Sequence, residues 1–143
     1  MINKQRLVDE FLSLVEIDSL TKQERKMADA LLERLKSMGY EPYEDDTASK
    51  IGGNAGNVVC HVKGNTNAPA LLLMAHMDTV VPGLNKKAVA EGDIIKSDGT
   101  TILGGDDAAG IAVILESIKS LKEDGAEFGD LYIAFTVAEE GGL

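Results

Sequence analysis

Two apolar runs constrain this chain more than any other feature: Ala70-Leu71-Leu72-Leu73-Met74-Ala75, and Leu131-Tyr132-Ile133-Ala134-Phe135-Thr136-Val137-Ala138. Neither alternates apolar with charged residues, and both are too short to cross a bilayer as a helix. They read as strands buried on both faces of a sheet, which requires helical layers to cover them. Helical periodicity is present to supply those layers. Leu7, Val8, Phe11, Leu12 and Val15 recur at helical spacing over roughly the first fifteen residues. Thr21-Lys22-Gln23-Glu24 has capping-box spacing and opens a second helix with an apolar face of Ala28, Leu31, Leu32, Leu35 and Met38, stopped at Gly39. Ile111, Ile114, Leu115, Ile118 and Leu121 mark a third helix that ends near Gly125. Between these lie a short strand near Tyr40 to Glu44, a loop from Ile51 to Gly56, a β-branched strand from Asn57 to Val62 and a turn from Asn65 to Ala68. Ala88 to Ala90 and Ile94 to Lys96 read as a hairpin around Glu91-Gly92-Asp93. The interleaving predicts an α/β layered domain with a mixed, largely parallel sheet flanked by helices.

Charge and cysteine content exclude several classes of function. Fourteen basic against 24 acidic side chains give a formal charge of −10, which argues against a nucleic-acid or anionic-membrane surface. Cys60 is the only cysteine, so neither an internal disulfide nor a thiolate zinc cluster can be built. No signal-like apolar segment is read at the N-terminus, and a cytoplasmic protein is expected.

The residues with chemistry stand where the apolar runs end. His76-Met77-Asp78 follows the first run, and side chains two apart on a strand point the same way. Imidazole suits zinc, and a neighbouring carboxylate can orient the ring. Asp106-Asp107 follows Gly104-Gly105 at the expected start of the third helix, where aspartates ordinarily cap the helix or complement its dipole. Glu139-Glu140 follows the second run. Ligands of open α/β sheets bind beyond the carboxyl ends of the strands. Two strands carrying His-x-Asp and Glu-Glu to one edge, with Asp-Asp on a helix start, therefore predict a metal site that no single motif would. His61, mid-strand beside Cys60, reads as a packed or half-exposed strand residue.

These clusters, together with Ser97-Asp98-Gly99-Thr100-Thr101-Ile102-Leu103-Gly104-Gly105, resemble the N-terminal catalytic segment of the two-zinc peptidase family that contains peptidase T, carboxypeptidase G and the aminoacylases, and the peptidase T branch most. The resemblance runs nearly the whole length. It implies that His76 ligates one zinc ion, that Asp106 bridges two, and that Glu140 ligates the other. It implies Asp78 as the orienter of His76, and Glu139 as the general base that takes a proton from the water between the metals. Ala108 departs from the lysine common at that position.

The resemblance also sets out what is missing. A further carboxylate ligand, a second histidine and an inserted lid domain that mediates homodimerisation lie beyond Leu143 in such proteins. Residues 1–143 are therefore expected to be the N-terminal part of a catalytic domain, truncated after Leu143, without the lid/dimerisation domain and inactive alone. The intact protein is expected to be a zinc aminopeptidase for short peptides, tripeptides foremost. A carboxypeptidase or N-acyl amino-acid deacylase with the same metal centre is one alternative. A non-catalytic module that binds a partner through an open sheet edge is another.

Overall fold

The computed structural model describes residues 1–142. Helix α1 spans Lys4–Val15 and opens on Asn3, whose side chain accepts a hydrogen bond from the Arg6 amide at 3.1 Å. Helix α2 spans Arg25–Ser37, and Gly39 behind it takes φ +87, the left-handed conformation that ends a helix with least strain. Strand β1 (Tyr43–Glu44), helix α3 (Thr47–Ile51), strand β2 (Val58–Val62) and strand β3 (Leu71–His76) follow. Strands β4 (Ala88–Glu91) and β5 (Ile94–Ser97) form the expected antiparallel hairpin. Helix α4 (Gly105–Glu123) and strand β6 (Leu131–Thr136) complete the order.

The main sheet has the order β1-β2-β6-β3 and is mixed. Only β3 and β6 are parallel; β2 runs antiparallel to both β1 and β6. The sheet is therefore not largely parallel. β2 and β6 alternate cleanly: Val58, Cys60, Val62, Leu131, Ile133 and Phe135 are buried, whereas His61 and Tyr132 are exposed. The buried row packs with Leu14, Leu31, Leu35, Ile111, Leu115 and Ile118 of the helices into one core.

The first apolar run departs from its expected burial. β3 is an edge strand among the described residues, and Leu71, Leu72 and Met74 are 58%, 60% and 56% exposed. Leu72 and Met74 pair with Tyr132 and Ala134 on a sheet face left open at Tyr132, so neither apolar run is buried on both faces as expected.

The capping box at Thr21 is also absent. α2 begins four residues later, its first amide, Arg25 N, is capped by Asn54 Oδ1 at 3.0 Å, and Lys22 takes φ +67. Thr21 and Glu24 face elsewhere.

An ion-paired clamp joins α1 to α4. Arg6 donates from Nε to Glu116 at 2.5 Å and from Nη1 to Glu123 at 2.8 Å, while the Asn3 amide and Ser120 Oγ also donate to Glu116. These donors, the Arg6 guanidinium foremost, hold the buried Glu116 carboxyl at about 2, below its ordinary 4.5. A carboxyl lowered on folding stabilises the fold fully above its unfolded value and loses that contribution as pH falls through the folded one. Urea midpoints measured from pH 6 to pH 2 are expected to fall more steeply for the native chain than for Glu116→Gln, the native chain's advantage shrinking below about pH 4.5. At the core's centre, Phe135→Ala is expected to cost about 3–5 kcal/mol in the same measurement at neutral pH.

Candidate metal centre

The parallel pairing of β3 with β6 sets His76 opposite Thr136, so both strands deliver their carboxyl ends to one edge. β3 ends in His76, which is buried with its Nδ1 2.9 Å from the Asp78 backbone carbonyl. A carbonyl only accepts, so Nδ1 carries a proton and Nε2 is left to face the site. Nε2 lies 3.0 Å from Asp106 Oδ1 and 3.8 Å from Glu139 Oε2. Burial disfavours the His76 imidazolium, but Asp106 and Asp78 together outweigh it and raise its pKa above 6.5.

The two aspartates at the start of α4 separate in role. Asp106 and Asp107 have non-helical dihedrals, and the peptide between them is cis. Asp107 Oδ1 accepts from the Gly110 amide at 2.9 Å and caps the regular helix that follows. A Cβ on Gly110 would stand 2.4 Å from that oxygen, so the cap requires glycine there. Asp106 instead extends towards His76, with its side chain 84% exposed.

The end of β6 turns sharply at Ala138, which is buried and has φ +56. Asn57 Oδ1 accepts from the Val137 amide at 3.0 Å, and Glu24 Oε1 from the Ala138 amide at 3.1 Å. The next two amides go to one buried carboxylate: Asp78 Oδ1 accepts from Glu139 N at 2.9 Å, and Asp78 Oδ2 from Glu140 N at 3.1 Å. Thr21 Oγ1 donates to the same Oδ2 at 2.8 Å. Asp78 thus meets the His76 ring through its backbone carbonyl, with its carboxylate farther off at 3.5 Å from Nδ1. That carboxylate chiefly holds the Glu139-Glu140 turn.

His76, Asp106 and Glu140 offer one ligand atom each, all within 4.8 Å of one another. Among the described residues, no lysine or arginine is ion-paired with Asp106, Glu139 or Glu140. One imidazole nitrogen with carboxylate oxygens, uncompensated by protein cations, suits a divalent metal such as zinc. The donor set fits a divalent metal ion.

His61 lies away from this cluster. Its Nε2 is 2.8 Å from Asp130 and its ring stacks on Tyr132 at 4.8 Å, consistent with a half-exposed strand residue. Thr21, Glu24 and Asn57, which support the site, are missing from the sequence-derived set. Their local pattern offers no warning, because Thr-x-x-Glu before a helix is also the pattern of a cap.

A model of peptidase family M28 matches residues 57–143, a stretch that includes all three clusters. A tripeptidase structure from Staphylococcus aureus subsp. aureus mu50 is 43% identical with a TM-score of 0.95, over 99% of this chain and 38% of that one. The aminopeptidase PepT of Bacillus cereus ATCC 10987 is 42% identical with a TM-score of 0.95, again over 99% and 38%. The uncharacterised protein YqjE of Bacillus subtilis (strain 168) is 46% identical over 143 residues, all of this chain and 38% of that protein. This chain spans about two fifths of the length of these relatives. The family match and the three-residue group together imply a metal cofactor. Because the family model covers more than half of the sequence and every residue of that group, the chain belongs to peptidase family M28.

Proposed function

We propose that this chain supplies metal-binding and catalytic residues of a two-zinc aminopeptidase that hydrolyses short peptides, tripeptides in particular. The observation that carries this reading is the convergence of His76, Asp106 and Glu140 within 4.8 Å, beside Glu139, in a chain that matches a tripeptidase structure so closely. His76 would hold one ion and Glu140 the other, and Asp106 would serve both. A bound zinc pair supplies Lewis acidity and lowers the pKa of water. Glu139 is the general base: its side chain is 56% exposed, free of any cation partner but His76 among the described residues, and within 3.8 Å of the ligating nitrogen. It receives the proton and returns it to the leaving amine. In this reading Glu140 binds metal while Glu139 faces substrate. A cytoplasmic setting and homodimerisation through an inserted domain belong to the same proposal.

Three ligands cannot complete two sites that each take about four. We therefore expect the 143-residue chain to bind zinc weakly and to show no measurable turnover. Calorimetric titration with Zn²⁺ is expected to show affinity falling at least tenfold in His76→Ala, Asp106→Ala and Glu140→Ala; a native chain that binds no divalent metal would refute the reading. In a longer protein that carries this segment, Glu139→Gln is expected to keep its zinc while turnover falls about 10²–10⁴-fold. Loss of metal and activity together would make Glu139 a ligand instead. Free tripeptides set against N-acylated amino acids in one assay separate an aminopeptidase from a carboxypeptidase or deacylase; preference for the acylated compounds overturns the assignment.

A further inference from the structure

Glu24 is wholly buried, yet among the described residues it has no cationic partner, and its Oε2 makes no hydrogen bond. A buried carboxyl with an unmet oxygen is a costly core residue unless its other oxygen does something no apolar side chain can. That other oxygen, Oε1, accepts two amides: Lys22 N at 2.7 Å and Ala138 N at 3.1 Å. Both donors belong to non-glycine residues in the left-handed region, at φ +67 and φ +56, a conformation such residues adopt only when their surroundings hold them. Ala138 is the residue that swings the chain out of β6 immediately before Glu139 and Glu140. Three residues before Glu24, Thr21 donates to Asp78, whose two oxygens hold the next two amides. Three consecutive amides, from Ala138 to Glu140, are therefore gripped by two buried carboxylates, and residues 21–24 supply or orient both. This segment is itself anchored beside β3, where the Thr79 amide donates to the Ser19 carbonyl at 2.8 Å and Ser19 Oγ to the Met77 carbonyl at 2.7 Å.

We propose that Glu24 is a positioning residue of the metal centre: through Oε1 it fixes the left-handed turn at Ala138 and so sets where the carboxylates of Glu139 and Glu140 stand. The consequence for metal rests on the functional reading above, whereas the control of the turn does not. A purely structural Glu24 would fill the core and begin α2, and its loss would loosen the first turn of that helix.

Amide hydrogen exchange on the full chain, paired with Zn²⁺ titration, separates these roles. Glu24→Gln keeps the accepting oxygen and is expected to preserve slow exchange from Ala138 to Glu140 and native zinc affinity. Glu24→Met keeps the volume without an acceptor, and Glu24→Asp keeps the charge without the reach. Both are expected to exchange at least tenfold faster at those three amides and to bind zinc about tenfold more weakly. The amides of β2, α4 and the first turn of α2 are expected to be unchanged. Native exchange rates at Ala138 to Glu140 in a folded Glu24→Met overturn the proposal, as does loosening confined to α2; if that variant does not fold, Glu24→Asp decides by the same criteria. A native chain that binds no zinc refutes the functional reading alone, and the exchange rates still decide the role of Glu24.

Discussion

The carboxylate of Asp78 has no solvent contact and no lysine or arginine beside it among the described residues, so hydrogen bonds must replace its hydration. Its donors come from two separate parts of the chain: the Thr21 hydroxyl ahead of α2 and the amides of Glu139 and Glu140 after β6. Asp78 itself follows β3. The desolvated charge is tolerable only when these segments are in place together, and in satisfying it they assemble the edge of the sheet where the candidate ligands lie. The same residue's backbone carbonyl fixes the tautomer of His76. One side chain thereby couples the fold to the orientation of the site.

The rest of the architecture brings these segments within reach. Parallel β3 and β6 stop at the same edge, and the non-helical residues at the head of α4 let Asp106 extend towards His76 while Asp107 caps the helix. The Arg6–Glu116 clamp sets α1 against α4 far along the helix from Asp106. There a buried carboxylate has been matched with a guanidinium. At the candidate centre the opposite choice prevails: Asp106, Glu139 and Glu140 gather around one imidazole with no protein cation paired to them among the described residues. Mutual repulsion of these carboxylates is the electrostatic complement of a divalent ion.

Much of this was legible in the sequence because it rests on local patterns. The apolar periodicity of the helices, the β4–β5 hairpin, the stop at Gly39 and the placement of His76, Asp106 and Glu140 at element ends all follow from side-chain spacing and burial. Three readings failed for a shared reason. The sheet direction, the exposure of Leu71, Leu72 and Met74, and the destination of Thr21 depend on which distant segment lies alongside, and spacing does not encode that. Thr21 and Glu24 satisfied the local rule for a helix cap, but their partners are Asp78 and Ala138, 57 and 114 residues away.

By itself, the sequence determined the types of all the elements but α3 and the set of candidate donors, since hydrophobic patterning and a set of imidazole and carboxylate groups are properties of residues. Only the tertiary structure decided that Asp107 caps α4, that the Asp78 carboxylate grips a turn while its carbonyl orients the ring, and that Glu24 is committed to Ala138. Those assignments turn on hydrogen bonds between groups far apart in the chain. Such bonds exist only once burial has removed the competing water and left each polar group the partners that the fold brings to it.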